Sequence, residues 1–507
     1  MVIKPDASRL LTAISRFLSE KGVPGYLVGG FLRDVLLARD TADIDIALDA
    51  DALAVAPQAA EALGGKYIPL DEASGVGRVV LPARKRTAGI KRWQIDFSTL
   101  KGNIQQDLAE RDFTIDAMAI ELGKAAQAAV DSAGFIDPFG GRDDLRQRTV
   151  RAVSDSAFQA DAARLIRAVR LAAELGFHID SATETLIRRD SLLIAGVAGE
   201  RTREELLRLL ALSGAGRQLA YLDELGLLTA LIPELAPTRG VDQPRVHVWD
   251  VFDHSIQTVS AVEFLLREGS FEYAGEELLD MVPWSARLSR YFDREVGSGS
   301  TRRSLLKLAA LLHDIAKPAT KTIDDDGRAR FLGHPLEGAA CAAAILERLR
   351  FSKREIKLVA LLVKYHLRPL QMSHEGMPTR RAIYRYFRDT GDAGVDLLFL
   401  CLADHLATRG RFIDLRQWQE HARMTEYVLD RHFEEESLTV PPKLIDGHDV
   451  MDIFGLSPGP ELGALLEKLH ESQAAGEVTT RQQAIEYIKS LIHGRNSTSQ
   501  DTEQHDH

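Results

Sequence analysis

The segment that most constrains what this chain can fold into is LVGGFLRDVLLARDTADIDIAL, residues 27–48. Its first two residues, Leu27 and Val28, predict the end of a short buried strand, and the paired glycines Gly29 and Gly30 predict a tight turn into a helix. Paired glycines let a polyanion approach the backbone closely, and the start of a helix offers free N–H groups. The turn is therefore a candidate phosphate-binding site.

The helix predicted after this turn has a buried side and a polar side. Arg33 and Asp34 are predicted to lie on the polar side. The residues predicted for its buried stripe are Phe31, Val35 and Leu36.

The sequence Asp43-Ile44-Asp45-Ile46 predicts a strand with both acids on one face. Residues two apart in a strand share a face, so the carboxylates point the same way while the isoleucines face the core. Adjacent carboxylates repel each other unless cations lie between them. A glycine pair alone usually marks only a turn, and an Asp-x-Asp pair alone usually marks an exposed strand edge. Within seventeen residues and with an arginine between them, they indicate metal-assisted chemistry on a nucleotide.

Composition narrows the class of protein. A chain of 507 residues with 45% hydrophobic residues is expected to hold several domains, at roughly 150 residues each. We find no apolar run long enough to cross a bilayer and no apolar core of a signal peptide, and so expect a cytoplasmic enzyme without a membrane partner. The two cysteines, Cys341 and Cys401, indicate neither a disulfide framework nor a cysteine zinc site. A net charge of −11 argues against wholesale coating of nucleic acid but leaves room for a local basic groove.

A helix over residues 8–21 and three short strands over residues 66–70, 78–81 and 92–97 are predicted around the acidic strand. Asp96 lies on the last of these strands, which could run beside the acidic pair. It is therefore either a third carboxylate of the site or an ordinary aspartate at a strand end.

Residues 107–120, DLAERDFTIDAMAI, combine a polar start with an apolar end. Arg111 and Asp112 are predicted at the entrance of a strand or turn. In isolation the segment reads as structural. The predicted core residues are Phe113, Ile115 and Met118.

Residues 158–177 predict a helix that stops at Gly176, with Leu165, Val169 and Ala172 at helical spacing. Four polar residues recur every three positions and predict a ridge that winds around this helix. Such a ridge is either a solvated, ion-paired face or a surface that meets both a triphosphate and the edge of a base. The four residues are Asp161, Arg164, Arg167 and Arg170.

Together these segments resemble the class II tRNA nucleotidyltransferase and bacterial poly(A) polymerase family, whose head belongs to the DNA polymerase β superfamily. Five segments of the chain occur in the same order as five motifs of this family. They are the glycine turn with its Asp pair, ERDFTIDA, DPFGGRDDLRQRTVR at 137–151, ADAAR and ERTREELLRLL at 200–210. The chain departs from the common family residues at three positions. Glu110 replaces an Arg, Asp116 replaces an Asn and Ala160 replaces a Glu.

The resemblance implies a role for each candidate residue of the head. Two Mg²⁺ ions would be held by Asp43 and Asp45, with Asp96 as a candidate third carboxylate. Asp161 and Arg164 would read the base of the incoming nucleotide. The remaining implied contacts are Asp112 to the sugar, and Gly29, Gly30, Arg33, Arg111, Arg167 and Arg170 to the triphosphate.

Residues 83–91, ARKRTAGIK, form a basic, glycine-containing segment between two predicted strands. Most charge clusters of this kind are solvated hairpin loops. The resemblance implies instead a mobile loop that helps polymerisation beside the site.

The second half of the chain carries histidines and aspartates in helical surroundings. One such histidine is more often a core or capped residue than a metal ligand. Six together resemble an HD domain, a helical metal-binding phosphohydrolase fold, and nitrogen and oxygen ligands suit Ni²⁺, Mn²⁺, Fe²⁺ or Mg²⁺. The implied ligands are His254, His313, Asp314 and Asp404 for a first metal, and His334 and His366 for a second.

We therefore predict an α+β fold, with a polymerase β-like nucleotidyltransferase head followed by an all-helical neck, body, HD domain and tail. The resemblance implies that CCA, or part of it, is added to the tRNA 3′ end from CTP and ATP, with contacts to the 3′ end and elbow of tRNA. A poly(A) polymerase and an HD phosphohydrolase with an RNA-binding head are the alternatives, and monomer and homodimer both stay open. The predicted boundaries are 1–150 for the head, 151–240 for the neck and body, 241–410 for the HD domain, 411–493 for the tail and 494–507 for a disordered C-terminus.

Overall fold

The chain divides into two compact units, Met1–Leu209 with Tyr221–Leu231, and Leu210–Ala220 with Ile232–His507. The basic segment 83–91 lies outside the described residues, as do the last five residues of the C-terminus. The computed structural model describes residues 3–71, 75–82, 92–125, 134–243, 246–297, 299–372, 376–434 and 443–502, with the backbone alone for 494–502.

The core of the first unit is a six-stranded mixed sheet. Its strands are β1 (Gly25–Val28), β2 (Asp43–Leu48), β3 (Lys66–Asp71), β4 (Val76–Val80), β5 (Gln94–Thr99) and β6 (Ala119–Glu121). Their order is β3-β4-β5-β2-β1-β6, with β2 and β5 parallel and the other neighbours antiparallel. The three strands predicted beyond the acidic pair are confirmed, with boundaries moved by one or two residues.

Helices cover this sheet and continue beyond it, and one of them, over residues 215–224, is divided between the two units. The first predicted helix is confirmed as α1, which buries Leu11, Ile14 and Leu18. The helices are α1 (Pro5–Glu20), α2 (Gly30–Leu36), α3 (Ala52–Leu63), α4 (Ile104–Ala109), α5 (Leu122–Ala125), α6 (Gly141–Gln147), α7 (Ala157–Ala160), α8 (Arg164–Leu175), α9 (Ser181–Asp190), α10 (Gly199–Leu210), α11 (Ala215–Glu224) and α12 (Leu228–Leu231), with a short parallel pair of strands, β7 (Thr149–Val150) and β8 (His178–Ile179).

Helix α8 shows how local sequence sets an element of the neck. Leu165, Val169 and Ala172 are buried, as the helical spacing predicts. Gly176 caps the helix with φ +67°, a left-handed conformation that glycine adopts without a Cβ clash. Asp161 lies before the first turn of α8 and not on it, so the predicted polar ridge is helical only from Arg164 onward.

The second unit is almost entirely helical. Two antiparallel hairpins interrupt it, β9 (Glu295–Gly297) with β10 (Ser300–Thr301), and β11 (Lys321–Ile323) with β12 (Ala329–Phe331). Its helices up to residue 434 are α13 (Val251–Leu265), α14 (Glu276–Leu279), α15 (Ala286–Phe292), α16 (Arg302–Leu312), α17 (His334–Arg348), α18 (Lys353–Tyr365), α19 (Arg368–Met372), α20 (Arg380–Thr390), α21 (Gly394–Arg409) and α22 (Leu415–Glu434).

In the described residues that follow, the helices are Gly447–Phe454, Pro460–Ala474 and Arg481–Thr502. They share a small apolar core that includes Val450, Leu465 and Ile488. The last helix includes residues 494–502, which the sequence predicts to be disordered. Within the described residues, no helix combines the length and the apolar composition that a bilayer crossing needs.

Candidate active site and a second metal-ligand cluster

Strand β2 places the acidic pair as the alternation of its residues predicts. Ile44 and Ile46 are 1% and 0% exposed and face the core, whereas Asp43 is exposed and Asp45 half-buried on the opposite face. In the parallel pairing of β2 with β5, Asp45 lies directly opposite Asp96. The structure therefore brings the predicted third carboxylate next to the predicted pair.

The glycine turn approaches this face of the sheet closely. Gly29 precedes α2 with φ +69°, where side chains are strained. A Cβ on Gly29 would lie 2.9 Å from Asp45 Oδ2 and 3.0 Å from Arg111 Nη1. Only glycine lets the turn, the carboxylate and the guanidinium share this space.

Asp45 is a suitable ligand for a cation. Its burial, only partly offset by Arg111, and the neighbouring carboxylate of Asp96 raise the pKa of Asp45 to about 6. An ionised carboxylate is thus costly here unless a positive charge is added to that of Arg111. Hard divalent cations bind carboxylate oxygens, so the donor set of Asp43, Asp45 and Asp96 fits Mg²⁺.

Asp96 has a protein partner that the sequence analysis missed. Arg78, directly across from it on β4, donates from Nε and Nη2 to its two carboxylate oxygens, at 2.7 Å each. The predicted strand over residues 78–81 already contained this arginine, but the pairing depends on the register of two strands. Each oxygen of Asp96 keeps a second lone pair for a cation.

Arg33, predicted to lie on the polar side of α2, is only 8% exposed. Its Nη1 donates to Asp116 Oδ1 at 2.7 Å, and its Nε donates to Asp34 Oδ1 at 2.9 Å. A buried guanidinium needs such partners because its charge has lost contact with water. The departure from the family residue at Asp116 thus supplies a carboxylate that holds Arg33.

Arg111 and Asp112 line the cavity beside the acidic pair, together with Arg167. Arg167 Nε lies 2.7 Å from Asp112 Oδ2. Burial alone would raise the pKa of Asp112, but Arg167 and the N–H of Phe113 lower it, so the carboxylate stays ionised. These three side chains therefore present fixed charges to the site.

The two predicted base-reading residues are held by different partners. Asp161 accepts from Arg201 twice, Nη1 to Oδ1 at 3.0 Å and Nη2 to Oδ2 at 2.7 Å. Arg164 donates to the backbone carbonyls of Glu110 (2.7 Å), Ala157 (3.1 Å) and Arg111 (3.4 Å). Between the pair, Arg164 Nε and Asp161 Oδ2 are 3.9 Å apart. Arg201 was missed, although the segment 200–210 was identified as one that resembles the last of the five family motifs.

Arg170, predicted to contact the triphosphate, is 5% exposed. Its guanidinium donates to Glu205 and Glu174. The charge of Arg170 is thus already met by two acids, and its side chain also lines the cleft.

Most of the candidate site residues named above line one cleft of about 710 Å³. Its walls come from the acidic strand with Asp96, from Arg111 and Asp112, and from α8 with α10. Its lining includes Gly30, Arg33, Asp43, Asp45, Arg78, Asp96, Arg111, Asp112, Asp161, Arg164, Arg167, Arg170, Arg201 and Arg208.

The second unit contains a separate cluster centred on Asp314. Asp314 Oδ2 lies 3.2 Å from His313 Nε2 and 3.7 Å from His254 Nε2. Asp314 Oδ1 lies 3.3 Å from His334 Nε2 and 3.8 Å from His366 Nε2. One carboxylate therefore faces two ligand groups, and each group can hold one metal ion.

Asp404 completes the first of these groups, with Oδ1 3.1 Å from His254 Nε2. All six predicted residues thus meet. The sequence analysis assigned Asp314 to the first metal alone, and the structure shows it between both groups.

The hydrogen bonds of the histidines fit metal binding. Nδ1 of His313, His334 and His366 lies 2.8, 2.6 and 2.7 Å from a backbone carbonyl, which fixes the proton on Nδ1 and leaves Nε2 as a lone pair. The Nε2 atoms of His334 and His366 are 3.3 Å apart, and two lone pairs at that distance repel unless a cation lies between them. Asp314 Oδ1, also buried there, has no hydrogen-bond partner among the described residues. The donor set therefore suits a divalent transition metal or Mg²⁺.

A cavity of about 450 Å³ opens onto this cluster. Lys317, which follows the His313-Asp314 pair in sequence, bonds to Asp314 at 2.5 Å and to Gln243 Oε1 at 2.6 Å. Arg330 and Arg409 also line the cavity. The sequence analysis named none of these cations, and their positions suit an anionic substrate.

Family models match three parts of the chain. Residues 25–151 match "Poly A polymerase head domain", residues 176–238 match "Probable RNA and SrmB- binding site of polymerase A", and residues 284–409 match "HD domain". The first match contains the acidic strand and the glycine turn. The third contains five of the six predicted ligands, and His254 lies before it.

Relatives of known activity align over almost the whole chain. An A-adding tRNA nucleotidyltransferase of Deinococcus radiodurans is 35% identical over 91% of this chain and 94% of its own. A CC-adding tRNA nucleotidyltransferase of Thermus thermophilus is 32% identical over 95% of this chain and 96% of its own. Such identity over both lengths shows a common family.

A solved structure of a CCA-adding enzyme in complex with ATP has the same fold, with a TM-score of 0.63 and 20% identity over 97% of this chain and 96% of that one. A second, a Thermotoga maritima CCA-adding enzyme complexed with tRNA, has a TM-score of 0.58 at 20% identity over 96% of both chains. This chain is a nucleotidyltransferase enzyme with an HD domain, and it belongs to the tRNA nucleotidyltransferase and bacterial poly(A) polymerase family.

Proposed function

We propose that this chain extends the 3′ end of tRNA with nucleotides of the CCA end, with CTP and ATP as donors. One observation carries the proposal. An acceptor, Asp161 Oδ2, and a donor, Arg164 Nε, lie 3.9 Å apart in the cleft that also contains the acidic strand. This arrangement can read the edge of a base beside a site for phosphoryl transfer.

Cytosine and adenine share a pattern on their Watson–Crick edge that uracil and guanine reverse. Cytosine and adenine present an amino group beside an unprotonated ring nitrogen, whereas uracil and guanine present a carbonyl beside a ring N–H. A carboxylate oxygen next to a guanidinium N–H complements the first pattern and opposes the second. The pair Asp161 and Arg164 therefore supports CTP and ATP as the nucleotides used.

In the proposed reaction, the 3′-hydroxyl of tRNA attacks the α-phosphate and pyrophosphate leaves. Asp43 and Asp45 would hold Mg²⁺, whose charge lowers the pKa of the hydroxyl and offsets the charge of the leaving group. Arg111 and Arg167 face the same cavity and would bind the triphosphate oxygens. Asp112, held by Arg167, would accept a hydrogen bond from the sugar.

The relatives from Deinococcus and Thermus are named for the addition of A and of CC, so the extent of addition needs a direct assay. Labelled tRNAs that end before CCA, after the first C, or after CC would each be incubated with CTP, ATP or both, and the products sequenced. We expect products that contain only missing CCA nucleotides and stop at a complete end. A long A tract on any RNA would instead identify a poly(A) polymerase and reject the proposal.

We propose a second activity for the cluster around Asp314, a metal-dependent hydrolysis of phosphoesters at RNA ends such as 2′,3′-cyclic phosphates. It is supported by the two facing ligand groups and by Lys317 beside them. A divalent cation held by these residues would activate water for attack on phosphorus near neutral pH. Protein loaded in turn with Ni²⁺, Mn²⁺, Fe²⁺ or Mg²⁺ would be tested on cyclic nucleotides and phosphorylated tRNA ends. His313→Ala with Asp314→Ala should remove this hydrolysis and spare nucleotide addition, and wild-type protein that hydrolyses none of these substrates would reject the activity.

A further inference from the structure

Arg201 makes a two-pronged contact with the carboxylate that we propose reads the base. It lies in the first turn of α10, and its two terminal nitrogens donate to the two oxygens of Asp161. A paired guanidinium–carboxylate contact of this kind fixes the plane of the carboxylate as well as its position. Arg201 also lines the cleft.

A count of lone pairs shows what the contact leaves for a base. A carboxylate offers about four acceptor positions, two on each oxygen. Oδ1 of Asp161 accepts from Arg201 and from the backbone N–H of Ala163 at 3.1 Å, whereas Oδ2 accepts from Arg201 alone among the described residues. The remaining acceptor position is on Oδ2, the oxygen that lies near Arg164.

Asp161 and Arg164 carry opposite charges 3.9 Å apart and would bond to each other if nothing else held them. Such a bond would use the acceptor and donor that a base edge needs. Arg201 holds Asp161 from one side, and the carbonyls of Glu110 and Ala157 hold Arg164 from the other. Asp161 and Arg164 are thus kept apart because each is held by its own partners.

We propose that Arg201 is a positioning residue for base selection, which keeps Asp161 oriented as an acceptor and prevents it from closing onto Arg164. The inference rests on the proposed function, because it assumes that Asp161 and Arg164 meet the base. Arg201 itself need not touch the nucleotide. Its loss should therefore change the choice among nucleotides more than the rate of addition.

The test compares kcat/KM for CTP, ATP, UTP and GTP in single-nucleotide addition to tRNA by wild type, Arg201→Met and Arg201→Lys. Methionine keeps much of the stem of Arg201 without its charge, and lysine keeps the charge without the two-pronged contact. We expect the preference for the cognate nucleotide to fall roughly three- to tenfold in Arg201→Met, with a smaller fall in Arg201→Lys. If Arg201→Met fails to fold, as thermal melting would show, Arg201→Lys carries the test.

Arg208→Met is the matched control. Arg208 lies on the same helix and lines the same cleft, its side chain is 57% exposed like that of Arg201, and it bonds to Glu204 and not to Asp161. Arg208→Met removes the same charge from the cleft wall as Arg201→Met. The nucleotide preference of the Arg208→Met variant should therefore stay that of wild type. An equal fall in preference in both variants would show a general effect of charge and overturn the proposal.

A double variant shows whether Arg201 acts through Asp161. Adding Arg201→Met to Asp161→Ala should change nucleotide preference no further, because the residue to be positioned is gone. A further fall in the double variant, or an equal loss for all four nucleotides in Arg201→Met, would overturn the inference. Unchanged preference in Asp161→Ala alone would instead reject the proposed base reader, so the two failures are distinguishable.

Discussion

Asp45 and Asp96 lie directly opposite each other on the parallel strands β2 and β5, with their residues in register. Asp45 is buried enough for its pKa to rise to about 6, whereas Asp96 shares both oxygens with Arg78. This pairing of strands adds the carboxylate of Asp96 to those of Asp43 and Asp45, which are near each other in sequence.

Asp96→Asn should raise the Mg²⁺ concentration needed for half-maximal addition by roughly tenfold, because one ligand charge is lost. Arg78→Met is the comparison, since it breaks the same ion pair but leaves the carboxylate. We expect it to lower thermal stability slightly without raising the Mg²⁺ requirement. If both variants left the Mg²⁺ titration unchanged and lost the same stability, Asp96 would be only the partner of Arg78.

Gly29→Ala should abolish most nucleotide addition, because its Cβ would push against Asp45 and Arg111 in addition to straining the backbone at φ +69°. Gly64→Ala is a matched control, with φ +68° and nothing within 4 Å of its Cβ. Both variants should lose about 1 kcal/mol of unfolding free energy. Steady-state addition assays beside thermal melts separate the two effects, and equal activity in both variants would contradict the assigned contact.

Arg164→Ala should reduce discrimination against UTP and GTP by about 1–3 kcal/mol, because the donor that opposes their edge is removed. Competition between labelled CTP and UTP on tRNA measures this directly. A variant with the wild-type preference would mean that α8 does not read the base.

Asp314→Ala should lose all metal from the second unit, whereas His366→Ala should lose only part of it. The difference follows because Asp314 faces both ligand groups and His366 only one. Elemental analysis of dialysed protein gives the metal content of each variant. Equal loss in both would show that the two groups do not bind independently.

Part of this site is determined by local sequence. The period of two along β2 is sufficient to predict that Asp43 and Asp45 share a face, since Ile44 and Ile46 must be buried on the other. Gly176 likewise ends α8 where a glycine in a left-handed conformation is needed. These features depend on a few neighbouring residues and can be predicted from the chain alone.

Other features depend on partners far along the chain. The sequence predicts that Arg33 lies on the polar side of α2 but not that it is buried, because its partner Asp116 is 83 residues away. Arg201 reaches Asp161 across 40 residues, and Arg78 reaches Asp96 only through strand register. Periodicity carries no information about such pairs, so a polar residue on a helix reads as solvated until its partner is known.

We propose that the acidic strand catalyses addition to the tRNA 3′ end. The decisive measurement is the kcat of Asp45→Asn on tRNA that lacks all or part of CCA, with CTP and ATP. Asp49→Asn, which removes an exposed acid beyond the far end of β2, is the control, and tRNA binding by filter retention shows that both variants fold. We predict at least a roughly thousandfold fall in kcat for Asp45→Asn, with tRNA affinity retained and Asp49→Asn like wild type. Turnover of Asp45→Asn near the wild-type value would contradict the assignment of the site.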